Sequence, residues 1–372
     1  MSDNSIIDWM ALSFVPGLGA RGVRQLINRF RSPDAVFSAC NKGLDKGCGI
    51  RKNVAATLAN PTPLREKALS QLQRIRSGGA KAICPDDDDY PQLLGEIADP
   101  PPVLYVQGRT ELLRSPCVAM VGSRAATGYG RRSGFALARD LAGAGLTVVS
   151  GLALGIDGEA HSGALSAQGG TIGVLGCGLD VVYPRQNSKL YEQIRENGLL
   201  VSEYPLGTRP DAFRFPARNR IIAGMSRGVV VVEAARKSGS LITAEMALDE
   251  GRDVFAVPGQ IDSFKSGGTH WLLQQGAKLV QSAEDILVEF GGHPQMSDFE
   301  AADPTSLLES DIDPDARKLL QTIDVYPAPR NELIAATGLG PAKVAELLLL
   351  LELEGLVELL PGDEIRRVEV GD

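Results

Sequence analysis

The residues that could do chemistry in this 372-residue chain follow short apolar runs and are mostly small or basic. One run ends in Gly122-Ser123-Arg124, and the next ends in Ser150-Gly151. Glycine and serine let a ligand approach the backbone, and the planar guanidinium of arginine suits a phosphate group. The pattern favours a ligand that contains phosphate, although a strand-to-helix turn with solvated arginines would carry the same residues.

Two later segments repeat this combination of basic and small residues. Arg218-Asn219-Arg220 enters an apolar helical stretch, where a buried arginine is costly without an anion. Lys237 and the serines of residues 238–240 follow another apolar run, at the expected start of a helix whose N–H groups can hold an anion. Ser240 acting only as a helix N-cap explains part of this pattern. The predicted site residues are Gly122, Ser123, Arg124, Ser150, Gly151, Arg218, Asn219, Arg220, Lys237, Ser238, Gly239 and Ser240.

Catalytic and metal-binding patterns are weaker. Asp157 and His161 are four residues apart and would share a helical face, but no third ligand is evident, so a structural pair is predicted. The Gly-x-Gly-x-x-Gly pattern of dinucleotide-binding folds is absent. We therefore predict no catalytic residue, no cofactor and no metal. The candidate aromatic residues for stacking on bases are Tyr183, Tyr204, Phe213 and Phe215.

These residues need a fold that brings strand ends together. From residue 103 to about residue 291, short β-branched runs alternate with helical patterns, which predicts a Rossmann-like, doubly wound α/β domain with a parallel sheet. The predicted strands are 103–106, 117–121, 147–150, 171–175, 199–201, 229–232 and 253–256, and the predicted helices are 129–144, 156–168, 187–197, 240–250 and 268–275.

Composition divides the chain into further parts. We predict a small helical domain over 1–85, a Rossmann-like core over 86–291, a linker over 292–307 and a winged-helix-like domain over 308–372. The first contains Pro16-Gly17-Leu18-Gly19, typical of a helix-hairpin-helix that can hold a phosphate, and a weaker copy at 47–50. A helical bundle that uses glycine only to end helices is the alternative. In the last domain, Lys343 is outnumbered by Glu346, Glu352 and Glu354, which favours contact with protein over DNA.

Bulk composition restricts the class of protein. Hydrophobic residues make up 44% of the chain and charged residues 23%, as in globular proteins. The net charge of −8 belongs to residues 309–372, which hold six basic and fourteen acidic residues, so a basic site elsewhere is possible. No secretory signal or membrane-spanning run is visible, and five scattered cysteines indicate reduced thiols and a cytoplasmic location.

Taken together, these motifs resemble the DNA-processing protein A (DprA/Smf) family. The resemblance is carried by segments 121–124, 150–157, 160–161, 174–178, 183–184, 202–205, 215–220, 238–243 and 251–259, all in one order. It implies an extended Rossmann fold that binds single-stranded DNA, a homodimer, a SAM-like helical module, and loading of the RecA recombinase during natural transformation, without catalysis. On matching positions it implies DNA contacts at Arg124, Arg218, Arg220, Lys237 and the 238–240 loop. Thr269-His270-Trp271 departs from the family's Gly-x-Asn pattern, near the expected dimer surface.

The sequence is also compatible with two other functions. Gly239, Thr243 and Glu245 distantly resemble the phosphate loop of Rossmann-like phosphoribohydrolases that cleave nucleoside monophosphates, but the Pro-Gly-Gly-x-Gly-Thr pattern of those enzymes is missing. A protein-interaction scaffold is the other alternative, with the acidic C-terminal part and residues 271–273 as docking surfaces.

Overall fold

A computed structural model of the chain describes residues 3–41, 51–291, 314–323, 328–353, 356–360 and 363–367. The chain divides into two units, Met1–Pro294 and Gln295–Asp372. The predicted helical domain and Rossmann-like core thus fall within one unit, and their boundary near residue 85 stays a prediction. The weaker glycine motif at 47–50 lies outside the described residues.

The first unit alternates helices and strands along most of its length. Its helices are α1 (Asp3–Ser13), α2 (Gly19–Phe30), α3 (Pro33–Asn41), α4 (Lys52–Ala59), α5 (Thr62–Ser77), α6 (Gln92–Glu96), α7 (Gly128–Gly143), α8 (Ile156–Ser166), α9 (Ser188–Asn197), α10 (Arg214–Met225), α11 (Gly239–Asp249), α12 (Gly267–Gln274) and α13 (Ala283–Glu289). Its strands are β1 (Lys81–Ile83), β2 (Leu104–Gly108), β3 (Cys117–Val121), β4 (Thr147–Ser150), β5 (Thr171–Leu175), β6 (Leu199–Ser202), β7 (Gly228–Val231), β8 (Asp253–Ala256) and β9 (Lys278–Leu279).

Within the described residues these nine strands form one sheet in the order β1-β2-β6-β5-β4-β3-β7-β8-β9. The strands from β6 to β9 in that order run parallel, which confirms the predicted doubly wound sheet. The predicted strand 103–106 is present as β2, but it pairs antiparallel with β6, placing Tyr105 opposite Ser202. The chain order reverses between β3 and β7, and in such sheets ligands bind beyond the strand ends at this point.

Apolar runs become strands buried on both faces. In β3, Cys117 and Ala119 belong to a core with α10 and α11, while Val118 and Met120 belong to a core with α7, α8 and α13. The alternation follows from the two-residue period of a strand. Helices therefore cover both faces of the sheet.

The N-terminal helices cover the rest of one face. Trp9 of α1 and Leu58 of α4 share a buried cluster with Tyr105 of β2. Helices α1 and α2 meet at a tight turn in which Gly17 and Gly19 have φ values of 79° and 64°, a region that favours glycine. The turn at residues 16–19 thus joins two helices, and a helix-hairpin-helix that holds a phosphate stays a prediction.

The second unit contains α14 (Pro314–Thr322), β10 (Ala328–Pro329), α15 (Arg330–Thr337), α16 (Pro341–Leu353), β11 (Val357–Leu360) and β12 (Glu364–Arg367). The strands pair antiparallel in the order β10-β12-β11, and residues such as Leu319, Leu347 and Ile365 are buried between helices and sheet. Three helices and a hairpin match the predicted winged-helix pattern. Of the acidic residues predicted to face a partner, Glu354 lies outside the described residues.

In the parts of the chain that the structure describes, no single helix is both long enough and apolar enough to cross a membrane. The pair Arg330–Thr337 and Pro341–Glu352, which is bent by 111°, has the necessary length and composition when its two helices are taken together.

Candidate functional site

A cavity of about 690 Å³ opens where the chain order reverses, beyond the ends of β3 and β7. Its walls come from chain segments far apart in sequence. The lining residues are Val121, Gly122, Arg124, Ala153, Asp157, Tyr183, Pro210, Asp211, Ala212, Phe215, Pro216, Arg218, Asn219, Ile222, Ser238, Gly239, Ser240, Ile242 and Thr243. Seven of them are site residues predicted from the sequence: Gly122, Arg124, Arg218, Asn219, Ser238, Gly239 and Ser240. The five other predicted residues, Ser123, Ser150, Gly151, Arg220 and Lys237, do not line the cavity.

The loop after β3 is held tightly against its neighbours. A Cβ atom on Gly122 would lie 2.6 Å from Ile156 Cγ1, so only glycine fits at this strand end. The N–H of Ser123 donates to the carbonyl of Glu233 at 2.7 Å, and the carbonyl of Ser123 accepts from the N–H of Ile156 at 3.2 Å. The main chain of Ser123 thus joins the ends of β3 and β7 behind the cavity wall.

Glu233 organises this loop, and sequence analysis does not predict it. The carboxylate is buried and accepts the hydroxyl of Thr127 at 2.5 Å and the N–H of Thr127 at 3.2 Å. Thr127 in turn caps α7 by accepting the N–H of Gly130 at 3.0 Å. The only sequence signal is an acidic residue directly after a strand.

An arginine and two aromatic rings form one stacked layer in the cavity wall. The guanidinium carbon of Arg124 lies 5.6 Å from the centroid of the Phe215 ring, and the Tyr183 ring stacks on Phe215 with centroids 5.4 Å apart. Arg124 and Tyr183 are exposed, so this layer has a face open to a ligand. The two other candidate aromatic residues, Tyr204 and Phe213, lie outside the lining and contact Arg214.

Arg218 is a buried cation in the cavity wall, with 4% of its surface exposed. Its Nη1 donates to the carbonyl of Gly151 at 2.7 Å and to the carbonyl of Val174. Burial lowers the pKa of Arg218, and the nearby Asp157 carboxylate opposes that effect. A cation held mainly by carbonyl groups gives the cavity a positive potential that attracts anions.

Arg220 has a different environment. Its guanidinium makes ion pairs of 2.6 Å with Glu203 and 3.4 Å with Asp99, and only 14% of its side chain is exposed. Residues two apart on a helix point in nearly opposite directions, so Arg218 and Arg220 of α10 cannot share one wall.

The start of α11 forms another part of the wall. Ser238 caps the helix by accepting the N–H of Ser240, and the two hydroxyl groups are 2.7 Å apart. The hydroxyl of Thr243 is fully buried and has no hydrogen-bond partner among the described residues. Lys237 is exposed just before this turn. The N–H groups and hydroxyls at this helix start can hold an anion.

The polar residues on β4 and α8 have structural contacts. Ser150 donates to the carbonyl of Met120 at 2.6 Å, and Asp157 accepts the N–H groups of Gly151 and Ala153 at 3.2 and 3.3 Å. Asp157 thus fixes the turn after β4.

His161 pairs with Thr171 at 2.7 Å instead of with Asp157. Burial, aided by the charge of Arg218, lowers the pKa of His161 to about 3. Among the described residues, no three His, Cys, Asp or Glu side chains are placed to hold a metal ion.

Two family profiles and related proteins from other organisms match this chain. The profile of the DNA recombination-mediator protein A family matches residues 81–291, and that of the DprA winged helix domain matches residues 300–363. Protein Smf from Synechocystis sp. is 35% identical over 409 aligned residues, which cover 99% of this chain and 100% of that protein. DNA processing protein DprA from Streptococcus pneumoniae is 52% identical over 204 residues, covering 55% of this chain and 72% of that protein.

Two solved structures are similar to this chain. The X-ray structure of DprA from Streptococcus pneumoniae matches with a TM-score of 0.65 and 39% identity, covering 79% of this chain and 99% of that one. A structure of DNA processing protein A from Helicobacter pylori, described for its single-stranded DNA binding mode, matches with a TM-score of 0.52 and 34% identity. It covers 57% of this chain and 95% of that one.

Proposed function

Because this chain belongs to the DprA/Smf family of DNA-processing, recombination-mediator proteins, we propose that it binds single-stranded DNA in the cavity beyond β3 and β7. One observation carries the proposal: a stacked layer of Arg124, Phe215 and Tyr183 shares a wall with the start of α11. A single strand offers both an unpaired base and a phosphate to such a wall. The Helicobacter pylori relative supports this class of ligand.

We assign each part of the wall a separate contact. A base stacks on Tyr183, a phosphate meets the hydroxyls and N–H groups at Ser238 and Ser240, and Arg124 supplies an exposed cation. These contacts recognise the backbone and the flat face of a base rather than base edges. Binding is therefore salt-dependent and only weakly selective for sequence.

The remaining predicted residues fall into two groups. Gly122, Arg218, Asn219 and Gly239 shape the wall and its potential, and Lys237 adds charge at the rim. Ser123, Ser150, Gly151 and Arg220 lie behind the wall, so we assign them a positioning role rather than a DNA contact.

The proposal is one of binding without bond cleavage. The phosphoribohydrolase alternative places its carboxylate at Glu245, which does not line the cavity. Asp157 does line it, but its carboxylate accepts two backbone N–H groups of the turn after β4. We therefore favour a binding protein over a hydrolase.

The family relationship extends the proposal to partners. We propose that the protein acts in the cytoplasm as a homodimer and passes single-stranded DNA to the RecA recombinase during natural transformation. The side chains of Ile261 and Phe264 are 95% and 82% exposed, which supports an apolar contact between protomers in the segment that leads to Thr269-His270-Trp271.

Fluorescence anisotropy with labelled single-stranded and duplex oligonucleotides over a salt series tests the central proposal. We expect a preference for the single strand, with affinity that falls steeply as salt rises. The absence of binding at low salt, or equal binding of the duplex, contradicts the proposal and brings assays of nucleotide hydrolysis forward.

A further inference from the structure

Helix α2 and its C-cap carry three arginines that point away from the core. Arg21, Arg24 and Asn28 follow one another at intervals of three or four residues, which places them on one side of the helix, and Arg31 is the exposed C-cap residue directly after it. Val23 and Leu26 are buried on the other side. No aspartate or glutamate occurs between Asp8 and Asp34 in the sequence, so the helix itself contains no acidic residue that offsets its charge.

These arginines differ from those of helix α5, which packs on α1. Arg65 is paired with Asp8 at 2.6 Å, and Arg76 is paired with Asp3 at 2.7 Å. By contrast, Arg21, Arg24 and Arg31 form no ion pair with any residue that the structure describes. Three unpaired guanidinium groups on one face repel one another, and an external polyanion relieves that repulsion.

The start of α4 enlarges this basic surface. A Cβ atom on Gly17 would lie 3.9 Å from Val54 Cγ2, so the turn before α2 adjoins the first turn of α4. Arg51 and Lys52 are exposed there and form no ion pair within the described segments. The basic surface therefore consists of Arg21, Arg24, Arg31, Arg51 and Lys52.

The helical module that carries this surface adjoins the rim of the cavity. Arg74 of α5 lies 3.7 Å from Asp180, and Asp180 accepts the N–H of Gly207 at 2.7 Å. The segments that hold Asp180 and Gly207 continue to Tyr183 and Pro210, which line the cavity. A strand that leaves the cavity on this side therefore reaches α5 of the helical module first.

We propose that the basic surface binds the sugar–phosphate backbone of the same single strand that occupies the cavity. This inference rests on the proposed function and adds a second contact tract to it. From Arg21 to Arg31 the helix rises about 15 Å, which exceeds the reach of a single phosphate. The surface carries charge but no exposed aromatic ring, so it holds the backbone without reading bases.

The test compares labelled single strands of about 6 and about 30 nucleotides, because the shorter one fills the cavity alone. The variant is Arg21→Gln/Arg31→Gln. The control is Arg139→Gln/Arg195→Gln, which removes the same formal charge from exposed arginines that are each paired with a carboxylate of their own helix. Those arginines lie in the C-terminal halves of α7 and α9. These helices lead to the first residues of β4 and β6, and the cavity lies beyond the other ends of the strands.

We expect the α2 variant to bind the short strand like wild type and the long strand about tenfold more weakly, with a salt slope lower by about 1.4 for two lost contacts. The control should match wild type with both strands. Equal losses with both strands, unchanged binding of the long strand, or an equal loss in the control overturns the inference. If wild type does not bind the short strand, the proposed function itself fails.

Discussion

The guanidinium of Arg218 lies directly against Gly151: its Nη1 donates to the Gly151 carbonyl at 2.7 Å, and a Cβ atom at position 151 would fall 2.4 Å from its Nη2. Only glycine fits at position 151, because the buried guanidinium of Arg218 occupies the space that a side chain would need. The glycine that follows β4 therefore allows Arg218 to hold its position in the cavity wall.

Gly151→Ala tests this relationship. The added methyl group must displace Arg218, and overpacking of this kind costs about 1–3 kcal/mol in the free energy of unfolding. We expect weaker DNA binding as well, measured by anisotropy beside thermal unfolding. Gly143→Ala is the control, because a Cβ atom there meets nothing within 4 Å. Unchanged stability and affinity in Gly151→Ala would show that Arg218 moves aside without consequence.

Arg124→Ala should weaken single-strand binding while leaving the fold intact, because the side chain is exposed and packs only on the face of Phe215. We expect a loss of about fivefold to tenfold and a salt slope lower by about 0.7. Arg139→Ala should bind like wild type, because Arg139 is also exposed but lies in the C-terminal half of α7 and does not line the cavity. Equal salt slopes for Arg124→Ala and wild type would exclude a phosphate contact at this residue.

Tyr183→Ala should remove a stacking contact worth about 1–3 kcal/mol of binding free energy, and Tyr183→Phe should restore it. Tyr129→Ala provides a matched control, because Tyr129 and Tyr183 are both 42% exposed but only Tyr183 lines the cavity. If the Phe variant loses as much affinity as the Ala variant, the hydroxyl rather than the ring makes the contact.

Thr243→Val should act on stability and binding in opposite directions. The Thr243 hydroxyl is buried without a partner among the described residues, so its replacement by a methyl group should raise stability by about 1 kcal/mol. Binding should weaken if a phosphate normally accepts from this hydroxyl. Thr171→Val is the comparison: that hydroxyl donates to the Val148 carbonyl at 3.0 Å, and its loss should lower stability. A stability loss in Thr243→Val contradicts the unpartnered hydroxyl.

His161 should stay neutral in the folded protein far below the pH at which histidines usually protonate, because burial lowers its pKa from 6.5 to about 3. The unfolded chain takes up this proton below about pH 6.5 and the folded chain does not. The contribution of His161 to folding stability therefore falls by about 1.4 kcal/mol for each pH unit between about 6.5 and 3.

Nitrogen NMR of the imidazole rings measures this protonation directly. In His161→Gln, the fall in unfolding free energy between about pH 6.5 and pH 3 should be smaller than in wild type, because the contribution of His161 is removed. Asp157 acts in the opposite direction, because burial raises the pKa of its carboxyl. Asp157 is present in both wild type and His161→Gln, so its contribution cancels when the pH dependences of their unfolding free energies are compared. A His161 signal that titrates near pH 6.5 would contradict the buried neutral ring.

The sheet could be predicted from the sequence where a strand is continuously apolar. The bounds of β3, β4, β5 and β8 match their predicted ranges, because each contains buried apolar residues in succession, although Asp253 at the start of β8 is exposed. The short strands β1 and β9 are not predicted, since Lys81 and Lys278 interrupt that signal. The antiparallel direction of β2 depends on long-range pairing that a local pattern does not contain.

The site could be predicted in part for a similar reason. Small and basic residues after the strands identified Gly122, Arg124 and the 238–240 turn on the cavity wall. Arg218 and Arg220 have the same residue type in the same segment, yet helix geometry separates their environments. The roles of Glu233 and of the Tyr183–Phe215 stack depend on contacts between distant segments, which residue spacing does not reveal.

The reversal of chain order between β3 and β7 also has a thermodynamic consequence. Because the cavity walls are drawn from segments that lie far apart between residues 121 and 243, an unfolded chain does not assemble the site. A ligand of this cavity binds the native state alone, so its binding free energy adds to the unfolding free energy by mass action. DNA occupancy and conformational stability are thereby linked, and an oligonucleotide at a hundredfold excess over its dissociation constant should stabilise the unit by about 2.7 kcal/mol.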